Sequence, residues 1–356
     1  MKKLVILSAS LLIAFAVQAT DFWSNNLRYS INPDAKSVTV RSRNDDYRSL
    51  HVDDGRMSAS VTADSSVKKP EEPPRPIAGD IVIPEKVDYE GKQYSVTIIG
   101  SQAFCFCNEI RSITIPQSVT VIHSFAFEGC SALTSLLIPK NVSIIGNEAF
   151  IGCKALTQFV VEKGNIFYSA EDGVLFSNFK SILFAYPNAK ATSYILPSGV
   201  ATIGDHAFSE CDLISVTIPE SVTSIGPGAF YFNRKLDALT IPESVRTIGN
   251  CAFTGCGFTT LTIPGNITKI EDNTFSFCLN LTSVTIPESV TSIGYSAFLY
   301  CKSLKEIHIR KKTPPSLTFS SFSRVPEDCI LYVPKGSKSA YMQAPRWTEF
   351  KNIQEE

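Results

Sequence analysis

Ten cysteines, four histidines and one acidic pair are the residues of this chain whose chemistry could define a site. Ten cysteines would suit disulfides in an oxidising compartment or a thiolate metal cluster. Their spacing argues against both. Cys107, Cys130, Cys153, Cys211, Cys256, Cys278 and Cys301 each lie three residues after a phenylalanine, and Asn233 fills the same slot once. A slot shared by Cys and Asn calls for a small buried group that donates a hydrogen bond to backbone. Side chains repeated in register across stacked coils also sit about 4.8 Å apart, wider than the Cβ separation of about 3.5–4.5 Å in a relaxed disulfide. Buried free thiols are therefore expected, with Cys105, Cys251 and Cys329 lying off this phase. Cys105-Phe106-Cys107 has no second pair at zinc-finger spacing, so no metal and no cofactor is expected.

Catalysis finds little support. His51, His123, His206 and His308 stand at unrelated positions, and His308, between Ile307 and Ile309, is expected to face solvent. No G-x-S-x-G elbow, phosphate loop or H-E-x-x-H occurs. A hydrolase would need a catalytic pair in Glu171-Asp172, which reads as a turn. The expectation is a non-enzyme.

The elements that carry these residues follow from one periodicity. Phenylalanines at 104, 127, 150, 208, 230, 253, 275, 298 and 322 are separated by 22–24 residues, except for one gap of 58. A fixed period in the twenties marks a solenoid whose coils cannot bury an apolar face alone. In "LTSVTIPESVTSIGYSAFLYC", Val284 and Ile286 face inward from a short strand and Ser283 and Thr285 face out. Pro287 ends the strand because it has no N–H. Gly294 permits a positive φ or close packing between coils. The expected fold is a β-rich repeat solenoid: a right-handed coil with one parallel strand per repeat of about 23 residues, short helical or 3-10 turns, and a cap at each end.

Five zones follow. Residues 1–19 read as a signal peptide, with Lys2 and Lys3 ahead of an apolar run and Val17-Gln18-Ala19 at the cleavage point. Residues 20–83 form an N-terminal cap, with a hairpin around Asn32-Pro33-Asp34-Ala35 and a mobile loop. The array occupies 84–322 and carries an inserted hairpin at 162–194, expected to protrude, with strands Gly173–Phe176 and Ser181–Tyr186. Residues 323–356 form the C-terminal cap. The two tryptophans, Trp23 and Trp347, fall one in each cap, where a large ring can cover an open end. An exported protein, secreted, on the cell surface or periplasmic, is expected, with no transmembrane segment. The 33 basic and 34 acidic residues become 31 and 34 without Lys2 and Lys3. That balance gives a polyanion nothing to bind, so nucleic acid is excluded as a partner.

Units such as "CSALTSLLIPKNVSIIGNEAF" and "LTSVTIPESVTSIGYSAFLYC" resemble the BspA-like, or Treponema pallidum type, class of leucine-rich repeats in secreted bacterial proteins. The resemblance spans about residues 81–322 and implies adhesion to host matrix proteins, epithelium or other bacteria. It carries no binding motif that could be placed on particular residues, and this chain shows fewer repeats than the large adhesins of that class and no anchoring domain.

Candidate binding residues come from the outward strand positions. One column reads Thr114, Leu137, Val160, Thr217, Thr240, Thr262, Thr285 and His308. Threonine suits any exposed parallel strand. The informative positions are where the regularity breaks, at Leu137, Val160, Phe167, Tyr168 and Tyr186, since exposed apolar and aromatic groups anchor interfaces. The expected function is a monomeric binding or adhesion module that takes a protein or glycan through the strand face and the insertion. The alternative is a structural envelope component with no soluble ligand.

Overall fold

The computed structural model describes residues 21–356 apart from 25–26, 35, 42–48, 54–55, 61–76 and 238, so the signal peptide expected at 1–19 lies outside the described residues. The repeats stack as coils, and each coil contributes to three rows of contacts. The first row is the expected ladder. Ala78–Val82 pairs in parallel with Glu109–Thr114, Ser135–Ile138 with Gln158–Val161, and Ser193–Ile195 with Ser215–Thr217. Thr260–Thr262, Ser283–Ile286, Glu306–Ile309, Ile330–Val333 and Asn352–Glu355 then run side by side. The ladder thus begins at Ala78 and continues to Glu355.

The second row is a further parallel ladder where one strand per coil was expected. Two-residue strands such as Val121–Ile122 and Ile144–Ile145, or Ser224–Ile225 and Thr247–Ile248, repeat the "SIG" phrase. Each points one Ile inward, and Ile122, Ile225 and Ile293 are fully or almost fully buried. Where a glycine follows, as at Gly146, Gly226, Gly249 and Gly294, it keeps an ordinary φ and is needed for close approach. A Cβ on Gly249 would lie 2.5 Å from the Pro227 nitrogen of the preceding coil.

The third row contains the phenylalanines and differs from the short helical turns expected there. The residues two before and two after every closing Phe adopt left-handed backbone, from Gln102 and Phe106 (φ 57° and 54°) to Ser320 and Arg324 (φ 61° and 63°). Non-glycine residues disfavour that region by about 1–2 kcal/mol. Backbone bonds between coils hold it here: Phe230 N–H donates to Ala252 at 2.7 Å, and Phe232 N–H to Thr254 at 2.8 Å. The Phe rings then stack at centroid distances of 5.5 Å for Phe104–Phe127 and 5.1 Å for Phe208–Phe230.

Six of the seven in-phase cysteines are buried as expected, and Cys107 is half-buried. All ten are free. Cys130, Cys256, Cys278 and Cys301 Sγ donate to the Phe carbonyl of the preceding coil at 3.1–3.2 Å. Asn233 makes the same bond to the Phe208 carbonyl at 2.7 Å.

At the N-terminal end, Leu27–Ile31 and Ser37–Arg41 form an antiparallel hairpin, and the second of these pairs in parallel with Lys92–Ile99. Arg56–Ser60, within the stretch read as a mobile loop, is a strand paired with Ser49–Asp53. At the other end Trp347 is fully buried, with its ring 5.8 Å from Phe322, the last of the stack. Its Nε1 donates to the Pro315 carbonyl at 2.8 Å. Among the described residues no helix is long and apolar enough to cross a membrane.

The outer strand face and the seam at the insertion

The insertion does not protrude. It is a three-stranded meander of Tyr168–Glu171, Val174–Ser177 and Ile182–Ala185, and its last strand enters the second ladder beside Thr202–Ile203. Val174, Leu175 and Phe176 are fully buried, and they face opposite ways. Val174 and Phe176 belong to the core that runs on to Ile353, whereas Leu175 belongs to the core that starts at Phe22. Two cores therefore meet at this strand. Three successive apolar residues need both faces covered, and a decoration on the surface would cover neither.

Burial also corrects two candidate residues. Tyr168 and Tyr186 are 6% and 3% exposed and cannot anchor an interface. Tyr168 Oη instead accepts the Ile145 N–H at 2.8 Å and closes the end of the second ladder there. Phe167 is exposed, but it lies beside Asn178, at the far end of the hairpin from the Glu171-Asp172 turn. That turn is held by Lys180 on Glu171 at 3.1 Å and Lys190 on Asp172 at 3.0 Å.

The outer column keeps the remaining candidates. Leu137 pairs with Val160 across the ladder, and both are nearly half exposed. Ile195 occupies the same column opposite Thr217 and is 74% exposed. Ile195 was missed in the sequence, although "SYILP" repeats the phrase "SVTIP". Thr262 and Thr285 continue the column, followed by His308 and Tyr332, whose rings stack at 4.7 Å. Thr217, Thr240 and Thr262 are exposed, but no strand is formed at Thr240. His308 is only partly exposed and meets Glu356 at 3.0 Å. From Leu137 onward the stripe is thus apolar as far as Ile195, hydroxylated from Thr217 to Thr285, and aromatic at its end.

On the Phe side of the coil the insertion leaves a gap. Between Phe150 and Phe208 the ring stack breaks: Phe150 turns an edge to Phe159 at 4.9 Å, and Tyr186 lies 5.2 Å from Phe208. Tyr186 N–H takes the Ala207 carbonyl, and Asn188 Nδ2 takes those of Ser209 and Glu210. The meander thus supplies only part of a row, and a cleft of about 230 Å³ remains between the turns Gly146–Ile151 and Gly204–Ser209. Residues in equal phase meet across it: Asn147 donates to Asp205 at 2.8 Å, and Glu148 lies 3.3 Å from His206 Nε2.

The charge in this cleft is negative. Burial, then the nearby Glu128 and Asp205 carboxylates, holds Glu148 above the usual carboxylate range. Burial holds His206 below the usual imidazole range, against the pull of Asp205, so it brings no compensating charge at neutral pH. Among the described residues no cluster of three or more His, Cys, Asp or Glu is arranged to hold a metal ion.

A family model described as the BspA type leucine rich repeat region matches in six copies over residues 92–188, 177–257 and 226–325. The chain is also similar in fold to three solved structures. One is a leucine rich cell surface protein from Faecalibacterium prausnitzii, with 23% identity over 86% of this chain and 98% of that one, at a TM-score of 0.52. The pneumococcal vaccine antigen PcpA gives 22% identity, 95% and 99% coverage and a TM-score of 0.56. A leucine-rich repeat protein from Eubacterium ventriosum gives 22%, 85% and 93%, and 0.50. No curated protein matches the sequence.

Proposed function

The chain belongs to the BspA-type leucine-rich repeat family, and from that premise we propose that it is an exported binding module of the bacterial envelope. It captures a protein or glycan on its outer strand face. The observation that carries this reading is the apolar part of the stripe. Leu137, Val160 and Ile195 are exposed in a column where threonine would serve the strand equally well. Large apolar groups displayed on a flat sheet gain from being covered and cost nothing to fold around. The apolar start at residues 4–17 supports export, and two of the similar structures bear the words "cell surface protein" and "vaccine antigen".

Excising the insertion would not test this, because Val174, Leu175 and Phe176 close both cores. The test is the point variant Leu137→Ser/Val160→Ser/Ile195→Ser, compared with the wild-type mature chain on a panel of immobilised matrix proteins and glycans. The wild type is expected to capture at least one member, and the variant to bind it about tenfold or more weakly, about 1.4 kcal/mol. Equal capture by the variant would move the site elsewhere. Capture of no panel member would favour a purely structural envelope role.

A further inference from the structure

The seam cleft has features that the outer stripe does not explain. None of the column residues lines it, and no lysine or arginine does. Its carboxylates come from Glu148 and Asp205, with Glu128 close enough to act on Glu148. Asp205 occupies a phase that elsewhere serves the stack. Asp272, in the equivalent position, accepts the Tyr295 N–H of the next coil at 2.7 Å. The corresponding residue after Asp205 is Pro227, which has no N–H to give. Asp205 instead holds Asn147 across the cleft.

A second observation is independent of the acidic groups. Ser209 lines the cleft, is 3% exposed, and its Oγ has no hydrogen-bond partner. Its counterparts one residue after the closing Phe are satisfied: Thr254 donates to the Asn273 carbonyl at 2.6 Å, and Ser276 to the same carbonyl at 3.1 Å. A buried hydroxyl without a partner costs about 1–3 kcal/mol. Leu156, Phe184 and Phe150 supply apolar wall beside these polar groups. A few convergent acceptors on an apolar wall are the composition of a ligand site. All of these acceptors suit a donor that is cationic and carries several N–H groups.

We propose that the seam cleft binds a primary ammonium on an apolar stem, supplied by a lysine side chain of a protein ligand or by a free alkylamine. The ammonium donates to Glu148, Asp205 and the Ser209 hydroxyl, and the stem lies against Leu156 and Phe184. At about 30 Å³ per water, the space corresponds to several waters, enough for a short aliphatic chain.

The test uses the mature chain and calorimetric titration with n-pentylammonium, n-pentanol, and lysine and norleucine blocked at both backbone ends. Saturable binding is expected for the ammonium probe and not for its alcohol. Glu148→Gln and Asp205→Asn should each weaken it about tenfold, about 1.4 kcal/mol. The variant Leu137→Ser/Val160→Ser/Ile195→Ser should bind it unchanged, which separates this site from the outer face. Binding of blocked lysine but not norleucine assigns the source to a protein side chain; binding of pentylammonium alone assigns it to a free amine. The absence of saturable binding of either ammonium probe by the folded wild type would overturn the proposal. So would binding that persists undiminished in the Glu148→Gln/Asp205→Asn double variant.

Discussion

Tyr186 lies beside Phe208, ring centroids 5.2 Å apart, in the place where the repeat would put another closing phenylalanine. The substitution extends to the backbone: its N–H donates to Ala207 at 2.8 Å, and its carbonyl faces Cys211 Sγ at 3.6 Å. Tyr186 therefore starts the second stack of coils. Tyr186→Ala should destabilise the C-terminal stack by about 3–5 kcal/mol, the cost of emptying a large aromatic site. Tyr186→Phe loses the hydroxyl's donation to the Ala191 carbonyl and its acceptance of the Ala191 N–H, and should cost about 1–2 kcal/mol. Denaturant unfolding followed by far-UV circular dichroism measures both.

The thiols give a pH prediction. Burial pushes Cys153 and Cys301 from 9 up to about 12. A folded value above the unfolded one means that the unfolded chain ionises first. The stability these thiols contribute is complete below about pH 9 and is lost as pH rises toward about 12. Unfolding midpoints should fall across that window, and replacing both residues by alanine should flatten the fall. Thiol titration in denaturant without reductant should find all ten cysteines reactive.

Two glycines with ordinary φ should respond in opposite ways to alanine. A Cβ at Gly249 meets the Pro227 nitrogen at 2.5 Å, so the coils must part, at a cost of about 1–3 kcal/mol. Gly199 has nothing within 4 Å of such a Cβ. Gly199→Ala should stabilise by about 0.5–1 kcal/mol through the unfolded chain. Thermal unfolding of the two variants checks the signs.

Trp347 closes the C-terminal end of the ring stack. Trp347→Ala removes the cover over Phe322 and the bond to Pro315, and should cost about 3–5 kcal/mol. Exchange protection should fall first in Ile330–Val333 and Asn352–Glu355, measurable by hydrogen exchange.

Much of this architecture was legible because it repeats. The cysteine slot showed itself when Asn233 shared it, and the carbonyl bonds at 2.7 and 3.1 Å are what that pairing required. Asn141, Asn266 and Asn280 each open an N-x-S/T triplet, and each side chain donates to a carbonyl of the preceding coil. The second ladder was not legible, since a two-residue strand such as Ser292–Ile293 has no alternation to read. Nor were the left-handed positions, which Glu148, His206 and Cys251 occupy as readily as Gly228 because the coils enforce them. The seam was half visible. "GVLF" carried the signature of a strand buried on both faces, but Asp205 is left to hold Asn147 across the cleft because Pro227 has no N–H to give it, which no local pattern announces.

Both the interrupted stripe and the cleft follow from the meeting of two cores at Val174–Ser177. Hydrogen exchange of Leu136→Ala and Phe253→Ala, one cavity in each core, tests that division directly. Leu136→Ala should lower protection from Ile99 to Val161 while leaving Ile203 to Ile309 intact, and Phe253→Ala should do the reverse. Equal loss of protection along the whole array in both variants would show a single cooperative spine and contradict the account.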